Sequence, residues 1–132
     1  MDIAPDIQSL IDAAHLAMGN AYAPYSNLKV GAAVLAASGR IYSGCNVENA
    51  SYSLSTCAER TAIFNAVCEG ERSIRAVAIS NSSNEPAFPC GACRQVIAEF
   101  AAPDEDVDIY LVSDRGVEKY TLAELLPHAF KL

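Results

Sequence analysis

Two short cysteine-containing runs constrain this chain more than any other feature. The first reads T-C-A-E-R over residues 56–60, and the second reads P-C-G-A-C-R-Q over residues 89–95. They supply Cys57, Cys90 and Cys93, and thiolates are ligands that zinc readily takes. A structural zinc has four protein ligands, whereas a catalytic zinc has three and leaves a fourth position to water or substrate. The two runs therefore predict a zinc site with one open position.

Glu59 stands two residues after the first of these cysteines. A carboxylate beside a catalytic zinc can carry protons for the water that the metal activates, as in zinc deaminases that act on nucleobases. A solvated carboxylate in the first turn of a helix, favoured by the helix dipole, is the simpler interpretation of a lone glutamate. Between Cys57 and Arg60, we predict that Glu59 is the catalytic proton carrier.

The two cysteine-containing runs belong to a longer ordered series. The other members read A-Y-A-P-Y-S-N (21–27), V-G-A-A-V (30–34), G-C-N-V-E-N-A-S-Y-S (44–53) and E-L-L-P-H-A-F (124–130). In this order and over most of its length, the chain resembles the small homotetrameric zinc-dependent cytidine deaminases. An ordered set of this kind is far more specific than a single C-x-x-C.

The resemblance implies an α/β fold, a three-layer α-β-α cytidine deaminase-like arrangement with a mixed five-stranded sheet, formed by residues 1–132 as one catalytic domain. It implies Zn²⁺ as the cofactor and no organic cofactor. The expected reaction is the hydrolytic deamination of cytidine and 2′-deoxycytidine to uridine and 2′-deoxyuridine plus ammonia, in pyrimidine salvage. The expected assembly is a homotetramer whose subunits share active sites.

The substrate contacts are also implied by the resemblance. Asn46 and Glu48 hold the ribose, which agrees with their spacing, because side chains two apart on an extended segment point to one side. A carboxylate there would repel a phosphate and so favour nucleosides over nucleotides. Ala50 belongs to the same substrate-binding set. Tyr52 and Phe130 are expected to complete the site of a neighbouring subunit, although packing within their own chain is the simpler interpretation of each.

Three thiolates around Zn²⁺ leave a net charge of about −1, which weakens the metal as an activator of water. Something must offset that charge. Both cysteine runs are predicted to lie at helix starts, where each N-terminus carries roughly half a positive elementary charge. Arg60 adds a full charge, and the resemblance implies that it contacts the thiolates. Gln95 is a further candidate for supporting them.

Leu28 and Phe88 depart from the family pattern. The family usually has phenylalanine where this chain has Leu28, and serine where it has Phe88. Leucine keeps an apolar contact with a pyrimidine but loses the aromatic one, and Phe88 could reshape the rim of the pocket. A deaminase of another amino-heterocycle, such as a blasticidin-type aminoacylnucleoside, is therefore an alternative function.

Cys45 and Cys68 are left without a role by the three-ligand site. We expect both to be small buried hydrophobic side chains, since free cysteine is among the most buried residue types. If either one filled the fourth zinc position, the protein would instead be a non-catalytic zinc-stabilised binding module.

Composition favours a small-molecule partner. The net charge is −7 and the nine Lys and Arg residues are scattered, whereas nucleic-acid binding depends on clustered positive charge. No apolar run approaches the roughly 18 residues of a membrane span, and the first residues do not resemble an export signal. With an odd number of cysteines arguing against a disulfide framework, we expect a cytoplasmic protein that binds no nucleic acid and no membrane.

The hydrophobic pattern predicts alternating helices and strands. A hairpin turn is expected at Ser38 and Gly39, and a connection as short as residues 114–116 requires its two strands to be antiparallel. Thr121 and Glu124 have the spacing of a capping box, which opens a last short helix that Pro127 ends. The predicted helices cover 6–19, 56–69 and 90–100, and the predicted strands cover 28–36, 40–46, 74–80, 107–112 and 117–120.

Overall fold

A five-stranded sheet lies between helices on both of its faces in a computed structural model that describes residues 3–132. No helix within that range combines the length and the apolar character needed to cross a membrane. A single turn of 3₁₀ helix spans Tyr52–Leu54. The other elements are α1 (Pro5–Met18), β1 (Val30–Ala36), β2 (Ile41–Cys45), α2 (Ala58–Cys68), β3 (Ile74–Asn81), α3 (Gly91–Glu99), β4 (Asp108–Ser113), β5 (Gly116–Thr121) and α4 (Leu122–Leu125).

The sheet is mixed, with the strand order β2-β1-β3-β4-β5. β1 pairs antiparallel with both β2 and β3, β3 pairs parallel with β4, and β4 pairs antiparallel with β5. The parallel pair is joined through α3, because parallel neighbours need a long crossover. The predicted fold class and the predicted antiparallel pairing of the last two strands are both confirmed.

Alternate residues of the central strands face two separate apolar clusters. In β1, Ala32 and Val34 pack with α2 and α3, whereas Ala33 and Leu35 pack with α1. This alternation follows from the period of two in an extended chain. Both sides of β1 are buried, which explains why its sequence is a continuous apolar run. The result is three layers, with α1 on one face and α2, α3 and α4 on the other.

The predicted boundaries fall within one or two residues of the observed ones. One two-residue difference is at the start of β1, which begins at Val30 and not at the predicted residue 28. The backbone of residues 28 and 29 bonds to side chains instead, since the Leu28 carbonyl accepts a hydrogen bond from Asn46 and the Lys29 N–H donates one to the Ser82 hydroxyl. The predicted capping box is present, since the Thr121 side chain accepts a hydrogen bond from the Glu124 backbone N–H and the Glu124 side chain accepts one from the Thr121 N–H.

The expectation that Cys45 and Cys68 are buried was wrong. Cys68 is exposed and Cys45 is only half-buried. Cys68 is the last residue of α2, whose buried face follows Ala58, Ala62 and Ala66, and it lies off that line. Cys45 ends β2, which is an edge strand and is half-buried along its whole length.

Two glycines let helices approach the sheet closely. A Cβ on Gly44 of β2 would lie 2.5 Å from the Ala62 backbone nitrogen of α2, and a Cβ on Gly31 of β1 would lie 2.0 Å from the Ala14 carbonyl oxygen of α1. Real Cβ atoms do not come this near to backbone. Any larger side chain at either position must push the helix away from the sheet.

We therefore expect Gly44→Ala to lower the free energy of unfolding by about 2 kcal/mol, in the range found for overpacked cores. Gly19→Ala is the matched control, because Gly19 has ordinary helical dihedral angles and its new Cβ would meet nothing nearer than 3.4 Å. That control should be neutral or slightly stabilising. Urea unfolding of both variants measures the difference, and equal midpoints would show that α2 does not depend on this close approach.

Candidate active site

Two helix N-termini bring the three sequence-predicted thiols together. Cys57 is the N-cap residue of α2, and Cys90 is the N-cap residue of α3. Cys93 is buried in the first turn of α3, and its backbone N–H donates a hydrogen bond to the Cys90 sulfur over 3.5 Å. The prediction that both cysteine runs lie at helix starts is confirmed. Each sulfur therefore sits where the helix dipole favours a negative charge.

The spacing of the sulfurs fits a tetrahedral zinc ion. The Sγ atoms of Cys57, Cys90 and Cys93 all lie within 4.8 Å of one another, and those of Cys57 and Cys90 are 3.9 Å apart. With zinc–sulfur bonds of about 2.3 Å, tetrahedral geometry separates two thiolate sulfurs by about 3.8 Å. The three cysteines could therefore hold zinc with little rearrangement.

Arg60 supplies positive charge to this group of thiols. Its Nη2 donates a hydrogen bond to the Cys57 sulfur over 3.4 Å, which is the contact that the family resemblance implied. The pKa of the Cys57 thiol is lowered to about 5. Its hydrogen bond with Cys93 has the largest effect, the hydrogen bond with Arg60 also lowers the pKa, and burial opposes both. The same hydrogen bonding to Cys57 raises the pKa of Cys93. Of these two thiols, Cys57 is therefore the one more readily deprotonated for metal binding.

Glu59 is buried beside the thiols, with only 5% of its surface exposed. Burial raises the pKa of its carboxyl above the ordinary value, and the negative charge of Cys57 adds to the effect. A carboxyl whose pKa is moved toward neutrality can both accept and release a proton at working pH. The position and the protonation chemistry of Glu59 both suit a proton carrier.

A cavity of about 250 Å³ connects this region with the predicted ribose-binding residues. Cys57, Cys90 and Glu59 line it. Asn46 and Glu48 also line it. The remaining wall is formed by Ser26, Leu28, Val30, Ala58, Ile79, Ala87 and Phe88.

Asn46 fixes the loop that leads into β1. Its Oδ1 accepts a hydrogen bond from the Val30 N–H over 2.9 Å, and its Nδ2 donates one to the Leu28 carbonyl over 2.9 Å. These two bonds hold the chain just before the strand. The sequence indicated a polar role for Asn46 toward a ligand but did not reveal this structural one.

Glu48 holds the same loop from another side. Its Oε1 accepts hydrogen bonds from the backbone N–H groups of Tyr25 and Ser26, over 2.9 Å and 3.1 Å. Its Oε2 accepts a bond from the Ser26 hydroxyl. These bonds lower the pKa of the Glu48 carboxyl, and the bond from the Ser26 hydroxyl has the largest effect. A carboxylate has about four acceptor sites, so three bonds leave room for a ligand hydroxyl.

The remaining predicted site residues lie on the surface. Ala50, Tyr52 and Phe130 are exposed, and none of them lines the cavity that holds Glu59. Gln95 donates a hydrogen bond to the Phe130 carbonyl over 3.1 Å, which ties α3 to the C-terminal segment. The predicted contacts of these four residues with substrate or thiolates stay predictions.

Neither Cys45 nor Cys68 joins the metal-binding group. In the part of the chain that the structure describes, that group contains Cys57, Cys90 and Cys93 alone. Cys57 and Cys68 stand at opposite ends of α2, which separates them by about 16 Å at 1.5 Å per residue. A closed site with four thiolates therefore has no support, and the non-catalytic zinc module loses its basis.

Comparison with known proteins agrees with this geometry. A family model described as the cytidine and deoxycytidylate deaminase zinc-binding region matches residues 5–107. The chain belongs to this family. The cytidine deaminases of Sporosarcina psychrophila and Halalkalibacterium halodurans are 50% and 48% identical to it, over 95% of this chain in both cases and over 91% and 94% of the relatives. The crystal structure of cytidine deaminase from Burkholderia pseudomallei superposes with a TM-score of 0.85 at 46% identity, covering 93% of this chain and 98% of that one.

Arg94 is a residue of this deaminase that the sequence reasoning missed. Its Nε donates a hydrogen bond to the Pro89 carbonyl over 2.7 Å, and its Nη1 donates one to the Leu125 carbonyl over 2.8 Å. Pro89 immediately precedes Cys90, so Arg94 ties that thiol's backbone to α4. The motif C-R-Q contained the residue, but only the fold reveals which carbonyls it reaches.

We expect Arg94→Gln to weaken zinc binding about tenfold, as loss of groups that support metal ligands commonly does. Competition against a chromophoric chelator measures the affinity. Arg72→Gln is the matched control, because Arg72 also donates to two backbone carbonyls, those of Val67 and Glu71, but at the far end of α2. Equal zinc affinities in the two variants would show that Arg94 does not position Cys90.

Proposed function

We propose that the protein catalyses the hydrolytic deamination of cytidine and 2′-deoxycytidine, in which nucleoside and water give uridine or 2′-deoxyuridine and ammonia. The proposal rests on one observation: a single cavity is lined by the buried Glu59, by two of the proposed zinc ligands, Cys57 and Cys90, and by Asn46 and Glu48. The relatives that match nearly the whole chain are named cytidine deaminases.

Cys57, Cys90 and Cys93 are the proposed zinc ligands. Zinc, when bound there, lowers the pKa of a water molecule and so supplies a nucleophile near neutral pH. Arg60 and the N-termini of α2 and α3 offset the charge of the three thiolates, which keeps the metal a useful Lewis acid.

Glu59 moves the protons. Its carboxylate accepts a proton from the attacking water and delivers it to the ring nitrogen N3 of the base. It then carries the proton of the added hydroxyl to the 4-amino group, so that the C4–N bond breaks, ammonia leaves and the C4 carbonyl of the product forms. The burial of Glu59 and its place in the wall of the same cavity as Cys57 and Cys90 support this double task.

Asn46 and Glu48 are the proposed ribose contacts. Glu48 keeps a free acceptor site after its three bonds to residues 25 and 26, and Asn46 keeps one N–H and one lone pair. The lowered pKa of Glu48 keeps this side of the pocket negative. Like-charge repulsion then disfavours nucleotides, so the substrate class is the free nucleoside.

Glu59→Gln tests the mechanism. Loss of general acid–base catalysis should lower kcat for cytidine by at least about 100-fold while zinc content stays unchanged. Ammonia release by zinc-loaded protein measures the rate, and Glu69→Gln, which changes an exposed glutamate at the other end of the same helix, is the control. Turnover of the Glu59 variant within a few-fold of the unaltered protein would contradict the proton-carrier role.

The same assay decides the substrate. Rapid release from cytidine and 2′-deoxycytidine, with little from cytidine 5′-monophosphate, is the expected result. A zinc-loaded protein that releases no ammonia from either nucleoside would overturn the proposal and direct the search to other amino-heterocycles.

We also propose that residues 1–132 act as one catalytic domain that assembles into a homotetramer in the cytoplasm. The two apolar clusters share one sheet, which supports a single domain. Tyr52 is 81% exposed and Phe130 is 68% exposed, and such aromatic surface is typical of interfaces. Tyr52 also lines an open cavity of about 350 Å³ together with Tyr25 and Glu48, so a neighbouring subunit there would reach the substrate site. A thiol group that must stay reduced fits the cytoplasm.

Tyr52→Ser is expected to shift the protein from tetramer toward smaller species at micromolar concentration, because it removes a large exposed aromatic side chain from the proposed interface. Native mass spectrometry measures the assembly. Leu16→Ser is the control, since Leu16 is 79% exposed on α1, on the opposite face of the sheet. An unaltered protein that is monomeric at these concentrations would contradict the proposed assembly.

A further inference from the structure

Two large apolar side chains remain partly exposed inside the cavity that holds Glu59. Phe88 is 48% exposed and Leu28 is 38% exposed, and both line this cavity. They come from different segments, the loop before β1 and the loop before α3. Apolar surface left open in a concave site is covered when a ligand with an apolar face binds.

The Phe88 ring is held in place by its neighbours. It packs against the Tyr120 ring with 5.1 Å between centroids and 58° between planes, which is a favourable tilted arrangement. The Tyr120 hydroxyl donates a hydrogen bond to Glu118 over 3.0 Å. On the other side, the following residue Pro89 is buried, and its carbonyl accepts the bond from Arg94. A ring fixed in this way loses little freedom when a ligand covers it.

The polar groups of the cavity determine which part of a ligand Phe88 can meet. The thiols and Glu59 require the amino-bearing carbon of the base nearby, and Asn46 with Glu48 require the ribose. The rest of the flat pyrimidine ring lies between that carbon and the ribose. Apart from Ser26, the groups left to contact it are apolar, Phe88 and Leu28 among them.

We propose that Phe88 is a specificity-determining residue whose ring forms the aromatic wall for the pyrimidine base. This inference rests on the proposed function, because it assigns a role within the same nucleoside site. The pyrimidine and the phenyl ring pack in an offset or edge-to-face arrangement, which adds to the affinity that apolar burial alone provides. Leu28 supplies an aliphatic contact to the same base.

Phe88→Leu is the decisive variant, since it keeps an apolar side chain and removes the aromatic ring. We expect KM for cytidine to rise roughly 3- to 10-fold, with kcat within about twofold of the unaltered protein, because the contact is present in both ground and transition states. The dissociation constant of the product uridine should rise by the same factor. Phe88→Tyr, which retains the ring, should restore KM to nearly its original value.

Phe64→Leu is the matched control. Phe64 is 46% exposed on α2 and does not line this cavity, so the same chemical change there should leave KM unaltered. A thermal melt and a zinc determination on each variant show whether the fold and the metal are retained.

The outcomes separate the two proposals. If unaltered zinc-loaded protein deaminates cytidine but Phe88→Leu leaves both KM and the uridine dissociation constant unchanged, the role of Phe88 is overturned and the proposed function stands. If Phe88→Leu and Phe64→Leu raise KM equally, the effect is not local and the role is again overturned. If unaltered protein neither deaminates cytidine nor binds uridine, both proposals fail.

Discussion

The meeting of two helix N-termini at three thiols is the constraint on which the rest of the structure depends. Cys57 caps α2 and Cys90 caps α3, and their sulfurs approach to 3.9 Å. Three thiolates this close would repel one another strongly in a medium of low dielectric constant. The two helix dipoles and the guanidinium of Arg60 offset that repulsion even before a metal binds, and a bound divalent ion would complete the neutralisation.

The topology of the sheet allows the N-termini of α2 and α3 to meet. α2 follows the β1–β2 hairpin and α3 lies in the crossover between the parallel strands β3 and β4, and both helices pack on the same face. Gly44 allows α2 to approach β2 at backbone distance. Glu59 lies in the first turn of α2 beside this meeting point, and only 5% of its surface is exposed although most glutamates lie on the protein surface.

Local sequence signals predicted the features that depend on neighbours along the chain. The helix starts at the cysteines, the capping box at Thr121 and the antiparallel last hairpin all follow from spacing over a few residues. The features that were missed depend on tertiary contacts. The backbone of residues 28 and 29 is bonded to the side chains of Asn46 and Ser82, and so β1 begins late. Cys68 is exposed because of the rotation of α2 on the sheet, which cysteine's average burial does not reveal.

Glu48 combines an observed role in the fold with its proposed role as a ribose contact. Its carboxylate already holds residues 25 and 26 through three hydrogen bonds, so the loop is ordered before a nucleoside arrives. Ordering a flexible loop during binding would cost about 1–2 kcal/mol per residue, which would weaken the affinity directly. The same bonds lower the pKa of Glu48, so its carboxylate stays ionised to a lower pH than an ordinary glutamate, and an ionised carboxylate is a stronger acceptor for a hydroxyl than a protonated one. The fold itself therefore fixes this negative charge in the wall of the cavity.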